Sequence, residues 1–507
     1  MTQAGRGPSV AISCVDGTSS GERAKADLPS RAGLAAGETV FRQTLEFLLV
    51  LGIGILVLRT YAAEAYVVPT GSMAPTLLGF HKELTCPNCR FPFVLGLDEQ
   101  GRNGPPICPN CGQGGLDGIE AVECNGDRLL VQKFFFDLRR PRRWEVAVFQ
   151  SPAEPGQAYV KRVVGLPGET IQLVEGDVYI DGKIARKLLR EQRAVRLLVF
   201  DNDYVPADSD RFPRWRFRAD GGRERRPLPS GWKAEGTRFL HESEPVLSDR
   251  WDWLEYRHFD PEWSRFGPVR DFTPYNGGDV RGDNLVRDLM IEFDVSARPG
   301  LKSLSVRIDS GDDRFIITMP VDGRGRLEVR RGGAWVETTN ARGGLTSSSA
   351  ESPRFAKLEV SAIDRRLTVA LNGEPLFDPI DYASGRERPV GFPGSPLAIG
   401  ALGGSAEVRR VRIYRDLYYT GHLAIGPRRP FGVESPYVLG QDEFFVLGDN
   451  SPVSNDSRFW DGSPVVRGGL FLGKPFLVHL PGQVFALQVF GRSLGWIPDP
   501  REIRYIR

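Results

Sequence analysis

From residue 66 onward, short stretches of alternating apolar and polar residues are broken by glycine, proline and asparagine, the period-2 pattern of half-buried strands. Short strands are expected at 128–131, 145–149, 159–164 and 177–180, the last entering an Asp181-Gly182 turn. The pattern is clearest over 285–420. There Leu289, Ile291, Phe293 and Val295 alternate as one buried face, and similar runs follow at 304–308, 315–319, 327–329, 358–360 and 367–371. Asn372-Gly373 is a strong hairpin signal because both positions tolerate positive φ, and Val408, Val411 and Ile413 supply a last strand. Strands at this spacing predict a β-sandwich. Residues 185–284 are charged and aromatic, with Trp251, Trp253, Tyr256 and Trp263, and show no clear period; an irregular connector is expected.

One apolar run, residues 47–58, stands out near the N-terminus. Its strict core falls short of the roughly 20 residues that a spanning helix needs. Extended through Leu45 on one side and Tyr61, Ala62 and Ala63 on the other, with Glu46 and Arg59 snorkelling, it reaches about 19. A membrane helix over 43–64 is the expectation, behind a disordered tail, 1–42, that Arg31 and Arg42 would keep cytoplasmic. Two rivals stand beside it: a signal peptide cut at Ala63-Glu64-Ala65, and a buried globular helix.

Composition adds bounds. A chain of 507 residues implies two to four domains, and 58 glycines and 38 prolines fit a mainly β protein with many turns. Lys plus Arg total 66 against 64 acidic residues, a net charge of +2 that points to no nucleic-acid partner. Five histidines argue against histidine-based chemistry.

Four stretches carry candidate chemistry. Pro69-Thr70-Gly71-Ser72-Met73-Ala74-Pro75-Thr76-Leu77 presents a serine beside a glycine that would let a substrate approach the backbone. Tyr159-Val160-Lys161-Arg162-Val163-Val164-Gly165 sets a lysine in a largely apolar strand, where burial favours the neutral amine. Gly448-Asp449-Asn450-Ser451-Pro452-Val453-Ser454-Asn455-Asp456-Ser457-Arg458 is dense in polar residues, and Gly126-Asp127-Arg128-Leu129-Leu130-Val131 is a weaker fourth. Taken singly, each also reads as an ordinary turn, edge strand or loop.

In this order after an apolar run, the four resemble the signature boxes of type I signal peptidases, over less than half of the chain. The resemblance implies a β core at 65–184 and 430–507 and an endopeptidase that removes signal peptides from exported preproteins by a Ser/Lys dyad. Ser72 would be the nucleophile and Lys161 the general base. Thr70, with the Ser72 amide, would form the oxyanion hole. Ser454 would orient the lysine, Asp456, Arg458 and Arg162 would form the supporting ionic network, and Asp449 would be structural. A desolvated lysine can activate a serine without histidine. Extended Ala-x-Ala substrates would add as a strand between 66–70 and 157–161. Val68, Met73, Leu77, Tyr159, Val160 and Val446 would line shallow pockets, although ordinary core packing is the alternative for each. The chain departs from the family in having Trp144-Glu145 where Gly-Asp is common, and in a long insertion between the lysine and Ser454 boxes.

Cys86-Pro87-Asn88-Cys89 and Cys108-Pro109-Asn110-Cys111 have the spacing of a zinc ribbon, expected over 82–115; disulfides are the rival. Four thiolates close the coordination shell, so the zinc would be structural, and catalysis would need no cofactor. Cys14 and Cys124 have no visible partner. The 285–420 stretch resembles a concanavalin or laminin-G-like jelly roll. Its Asp309–Asp313 cluster reads as a calcium site or, more plainly, a solvated turn.

The expected setting is the cytoplasmic (inner) membrane, with a single pass, the N-terminus inside and the catalytic domain outside. Partners would be preprotein signal peptides and the lipid bilayer, with export machinery or a glycan or peptide ligand open for the sandwich. Rival functions are an extracytoplasmic binding protein with a degenerate core and a self-cleaving repressor-type protease.

Overall fold

The computed structural model describes the chain apart from residues 1–30, 58–62, 99–100, 102–103, 153, 155, 210–211, 221–228, 244–248, 312, 324–325, 332–333, 341, 350, 384–394, 423–429, 490–491 and 507. Most of the tail expected at 1–42 therefore lies outside the described residues. Residues 1–60 and 61–507 form two separate units.

The first unit contains one helix, Arg31–Val57. It starts well before the expected 43, because residues 31–46 carry no proline and bond along the helix; Arg42 pairs with Glu46 one turn on at 2.8 Å. Residues 58–62 of the expected span 43–64 lie outside the described residues. Among the described residues no helix is long and apolar enough to cross a membrane. Phe47, Leu48, Leu49, Val50 and Ile53 are nonetheless all exposed.

The second unit is mainly β, as expected. An eight-stranded sheet has the order Ala63–Val67, Arg128–Gln132, Phe471–Leu480, Val146–Gln150, Ala158–Gly165, Glu443–Leu447 and Val466–Arg467, with Arg504–Tyr505 paired to Phe471–Leu480. A four-stranded sheet beside it joins Lys183–Ile184, Asp177–Ile180, Thr170–Val174 and Tyr437–Val438. Strands from both ends of the chain thus interleave around the long insertion.

The insertion forms a nine-stranded and a seven-stranded sheet that share one apolar core, including Leu254, Ile291, Phe293, Val306, Ile317, Val360 and Ile399. The expected strands are present, and Asn372 and Gly373 both take positive φ, 52° and 94°. Two readings change. Leu289–Ala297 is buried on both faces, since Met290 packs outward against Leu189, Ile363, Ala370 and Tyr414. The stretch 185–284 is not irregular: it contributes the helix Leu189–Val195 and the strands Leu197–Asp201, Trp215–Ala219, Trp232–Glu235, Arg238–Glu242 and Trp251–Tyr256 to the same two sheets. At the Asp309–Asp313 turn the carboxylates bond arginines, Asp309 to Arg314 at 2.8 and 2.9 Å and Asp313 to Arg331 at 2.7 Å, which favours the plain turn.

Candidate active site

Three elements converge on Ser72. The strand Ala63–Val67 leads into a short turn of helix, Gly71–Met73, that carries the serine. Lys161 lies in the strand Ala158–Gly165, opposite Ala147 on the neighbouring strand. The 448–458 loop follows the strand Glu443–Leu447, which pairs with the same lysine strand at Val446↔Val163 and Leu447↔Arg162.

Lys161 Nζ is 2.7 Å from Ser72 Oγ, between residues 89 positions apart in sequence. The lysine is 4% exposed. Burial pulls its pKa down from 10.5 to about 8; the nearby Asp456 and Asp449 carboxylates oppose this, and Arg458 adds to it. A lysine at that value has a substantial neutral fraction near neutrality, as a base for a serine hydroxyl requires. The Thr70 hydroxyl is 3.5 Å from Ser72 Oγ and exposed.

Two arginine–carboxylate pairs lie under the dyad. Arg162 clasps Asp449 with two bonds, 2.8 and 2.6 Å, and donates to the Trp144 carbonyl. Asp449 also accepts from Thr76 at 2.5 Å, joining the serine loop to this pair. Arg458 grips Asp456 at 2.9 and 2.8 Å and donates to Ser451 and to the Thr420 carbonyl. Asp456 in turn accepts from the Gly448 amide at 2.9 Å. Ser454 is fully buried, and its hydroxyl has no hydrogen-bond partner among the described residues. The orienting bond expected from it to Lys161 is therefore not made. It lies close by: a Cβ on Gly448 would fall 2.1 Å from Ser454 Oγ and 2.5 Å from the Ser72 carbonyl oxygen.

Sequence reasoning missed Asn450, Tyr275 and Asn276. The Asn450 amide donates to the Ser72 carbonyl at 3.0 Å, and its side chain donates to the Gly71 carbonyl at 3.0 Å. Asn276, in the insertion, bonds that side chain in turn. Tyr275 is buried against Gly71; a Cβ there would sit 2.1 Å from Tyr275 Cε1. Gly71 thus leaves room for this ring. A Tyr-Asn pair in a loop carries no sequence signal of such a contact.

Among the expected pocket residues, Val68, Met73 and Leu77 share one apolar cluster with Val160, whereas Val446 and Tyr159 belong to the neighbouring cluster around Phe149 and Trp460. Met73 and Leu77 are fully buried, so they fill the core beneath the serine loop.

Away from the dyad, the four paired cysteines converge. Cys86 Sγ lies 3.6 Å from Cys111 Sγ, and Cys89 Sγ 3.6 Å from Cys108 Sγ, with all four sulfurs within 4.8 Å of one another. Those are not disulfide distances; sulfurs bound at about 2.3 Å around a tetrahedral zinc would stand about 3.8 Å apart. The donor set and spacing fit a structural metal. The asparagine of each knuckle bonds the insertion: Asn88 contacts Asp208 and the Ala207 amide, and Asn110 contacts Asp201 and Tyr204.

Residues 119–217 match the family model described as signal peptidase, peptidase S26. Signal peptidase I of Pseudomonas aeruginosa is 30% identical over 152 residues, 27% of this chain and 37% of that protein. Signal peptidase I of Leptolyngbya laminosa is 30% identical over 166 residues, 31% of this chain and 54% of that protein. The chain thus spans about half or less of the length of these relatives. Among solved structures, the Caenorhabditis elegans galectin LEC-6 is 13% identical over 29% of this chain and 86% of its own, with a TM-score of 0.20. The stretch similar to signal peptidase, peptidase S26, includes Lys161; Ser72 and the 448–458 loop lie outside it.

Proposed function

We propose that this protein is a serine endopeptidase that removes signal peptides from exported preproteins through the Ser72–Lys161 dyad. The observation that carries the reading is the 2.7 Å contact between Ser72 Oγ and a buried lysine amine whose pKa is lowered to about 8. Ser72 attacks the scissile carbonyl while Lys161 takes its proton. The amine then returns a proton to the leaving amino group, and water hydrolyses the acyl-enzyme with the lysine again as base. The Thr70 hydroxyl and the Ser72 amide would hold the oxyanion; losing one such donor typically costs about 3 kcal/mol. Ser454, whose buried hydroxyl has no partner among the described residues, would accept from the lysine amine.

Sheet topology supports strand addition by the substrate. Ala63–Val67 is an edge strand, and 158–161 pairs with Val146–Gln150 on one side only, since Glu443–Leu447 reaches no further than Arg162. An extended peptide can bond both free edges, its small alternate side chains facing Val68 and Val160. The ribbon would hold zinc through Cys86, Cys89, Cys108 and Cys111 as a structural ion. The exposed apolar residues of the helix Arg31–Val57 support membrane association, which would bring the site to membrane-delivered preproteins.

Purified full-length protein is assayed on a preprotein with an Ala-x-Ala site. Wild type should cut after the second alanine; Ser72→Ala and Lys161→Ala should lose at least a thousandfold while keeping the fold. Cleavage retained by either variant rejects the reading.

A further inference from the structure

The small sheet formed by Pro92–Gly96, His81–Thr85 and Val122–Cys124 carries a second set of ligand-type side chains. His81 and Glu83 are two residues apart on one strand and therefore share a face, and Cys124 is the cross-strand partner of His81. The ligand atoms of the three lie within 4.8 Å of one another.

His81 already has the tautomer that an ion would use, and Cys124, a thiol pushed up by burial, would give up its proton on binding the ion. His81 is fully buried, and its Nδ1 is 2.7 Å from the Gly79 carbonyl. A carbonyl can only accept, so Nδ1 carries the proton and Nε2 presents a lone pair; Nε2 has no partner among the described residues. Metal-bound histidines commonly have their tautomer fixed by such a backbone bond. Cys124 is a buried free thiol with a long 3.5 Å bond to the Val122 carbonyl, and the Val484 backbone amide also approaches its sulfur. Glu83 accepts one 3.3 Å bond from the Val484 amide. No lysine or arginine among the described residues pairs with it, and the charges acting on it are those of Asp499 and Glu502. An unpaired imidazole nitrogen and an uncompensated half-buried carboxylate are both costly, and one cation relieves both.

We propose that His81, Glu83 and Cys124 bind a single divalent transition-metal ion, zinc by the N, O and S character of the donors, at a site separate from the four-cysteine ribbon. Bonds of about 2.0–2.3 Å would place the donors about 3.3–3.8 Å apart, a modest contraction from the present limit. Unlike the ribbon, three ligands leave a fourth position open. Glu83 lines a cleft of 1080 Å³ with Val122, Val484 and Glu502, through which an ion and water could enter. The ion would brace 122–124 and the 81–85 strand against each other.

The test is the metal content of the full chain, loaded with zinc and then desalted, with cobalt(II) as a spectroscopic probe. Two equivalents per chain are expected for wild type and one for His81→Gln and Cys124→Ser. The second cobalt should add about a quarter of the sulfur-to-metal charge-transfer intensity of the first, one thiolate against four. One equivalent in wild type, or two retained in both variants, overturns the proposal. Glu83→Gln, at a half-buried position, gives the same reading of one equivalent or two if the other variants do not fold.

Discussion

The side-chain amides of Asn276 and Asn450 exchange two hydrogen bonds, of 2.8 and 2.7 Å, across 174 positions of sequence. Asn450 also bonds the Gly71 and Ser72 carbonyls, so a residue of the insertion is one side chain removed from the backbone of Ser72. Asn276→Ala should lower kcat about tenfold, on the order of one lost hydrogen bond's worth of positioning, and leave KM within about twofold. Steady-state kinetics on a preprotein separates the two. An equal rise in KM with kcat unchanged would mean that the contact serves substrate binding instead.

The pH dependence follows from Lys161. Its amine must be neutral to act, so kcat/KM should fall about tenfold per unit below a pKa of about 8 and level off above it. Stability carries the same sign. The unfolded lysine keeps its proton up to 10.5, the folded one only up to about 8, so the cost of burying the charged amine is borne fully below about 8 and relieved between about 8 and 10.5. Lys161→Met should abolish this rise, as read from denaturant midpoints across pH.

Arg162 and Asp449 are both fully buried, so each depends on the other for its charge. Asp449→Ala should cost about 3–5 kcal/mol because it strands the guanidinium, and a double replacement by Met and Leu should cost less. Thermal or urea unfolding of the single and double variants measures the difference.

The cysteine pairs offer a chemical distinction. Unfolded in chelator without reductant, the chain should yield all six of its cysteines as reactive thiols. Two disulfides in the ribbon would leave only Cys14 and Cys124 to react.

The strand around Lys161 was legible from its apolar pattern, whereas the pairing of Lys161 with Ser72 came from the resemblance of the motifs, since the pattern alone fits an edge-strand lysine as well. The sandwich strands of 285–420 were equally visible, since one face of most of them meets a single core. The stretch 185–284 hid its strands for a physical reason: Asp252 and Glu255 are both buried, on opposite faces of the strand Trp251–Tyr256, held by Ser230 with the Gly231 amide and by Arg307. Paired charges inside a strand erase the alternation that marks it. Gly71 was legible as a close approach but not as an approach by Tyr275, because the partner comes from far along the chain. Val446, expected in a pocket with core packing as the alternative, pairs with Val163 and lies in the cluster around Phe149 and Trp460.

The bidentate grip of Arg162 on Asp449 joins positions 287 residues apart, and the strand Phe471–Leu480 sits in the middle of the eight-stranded sheet. Closing so long a loop is entropically expensive unless the intervening insertion folds first and brings its ends together. A chain emerging N-terminus first therefore has its serine and lysine long before it has a working site. The site proposed around Ser72 and Lys161 would stay incomplete during synthesis until the 449–480 segment has followed.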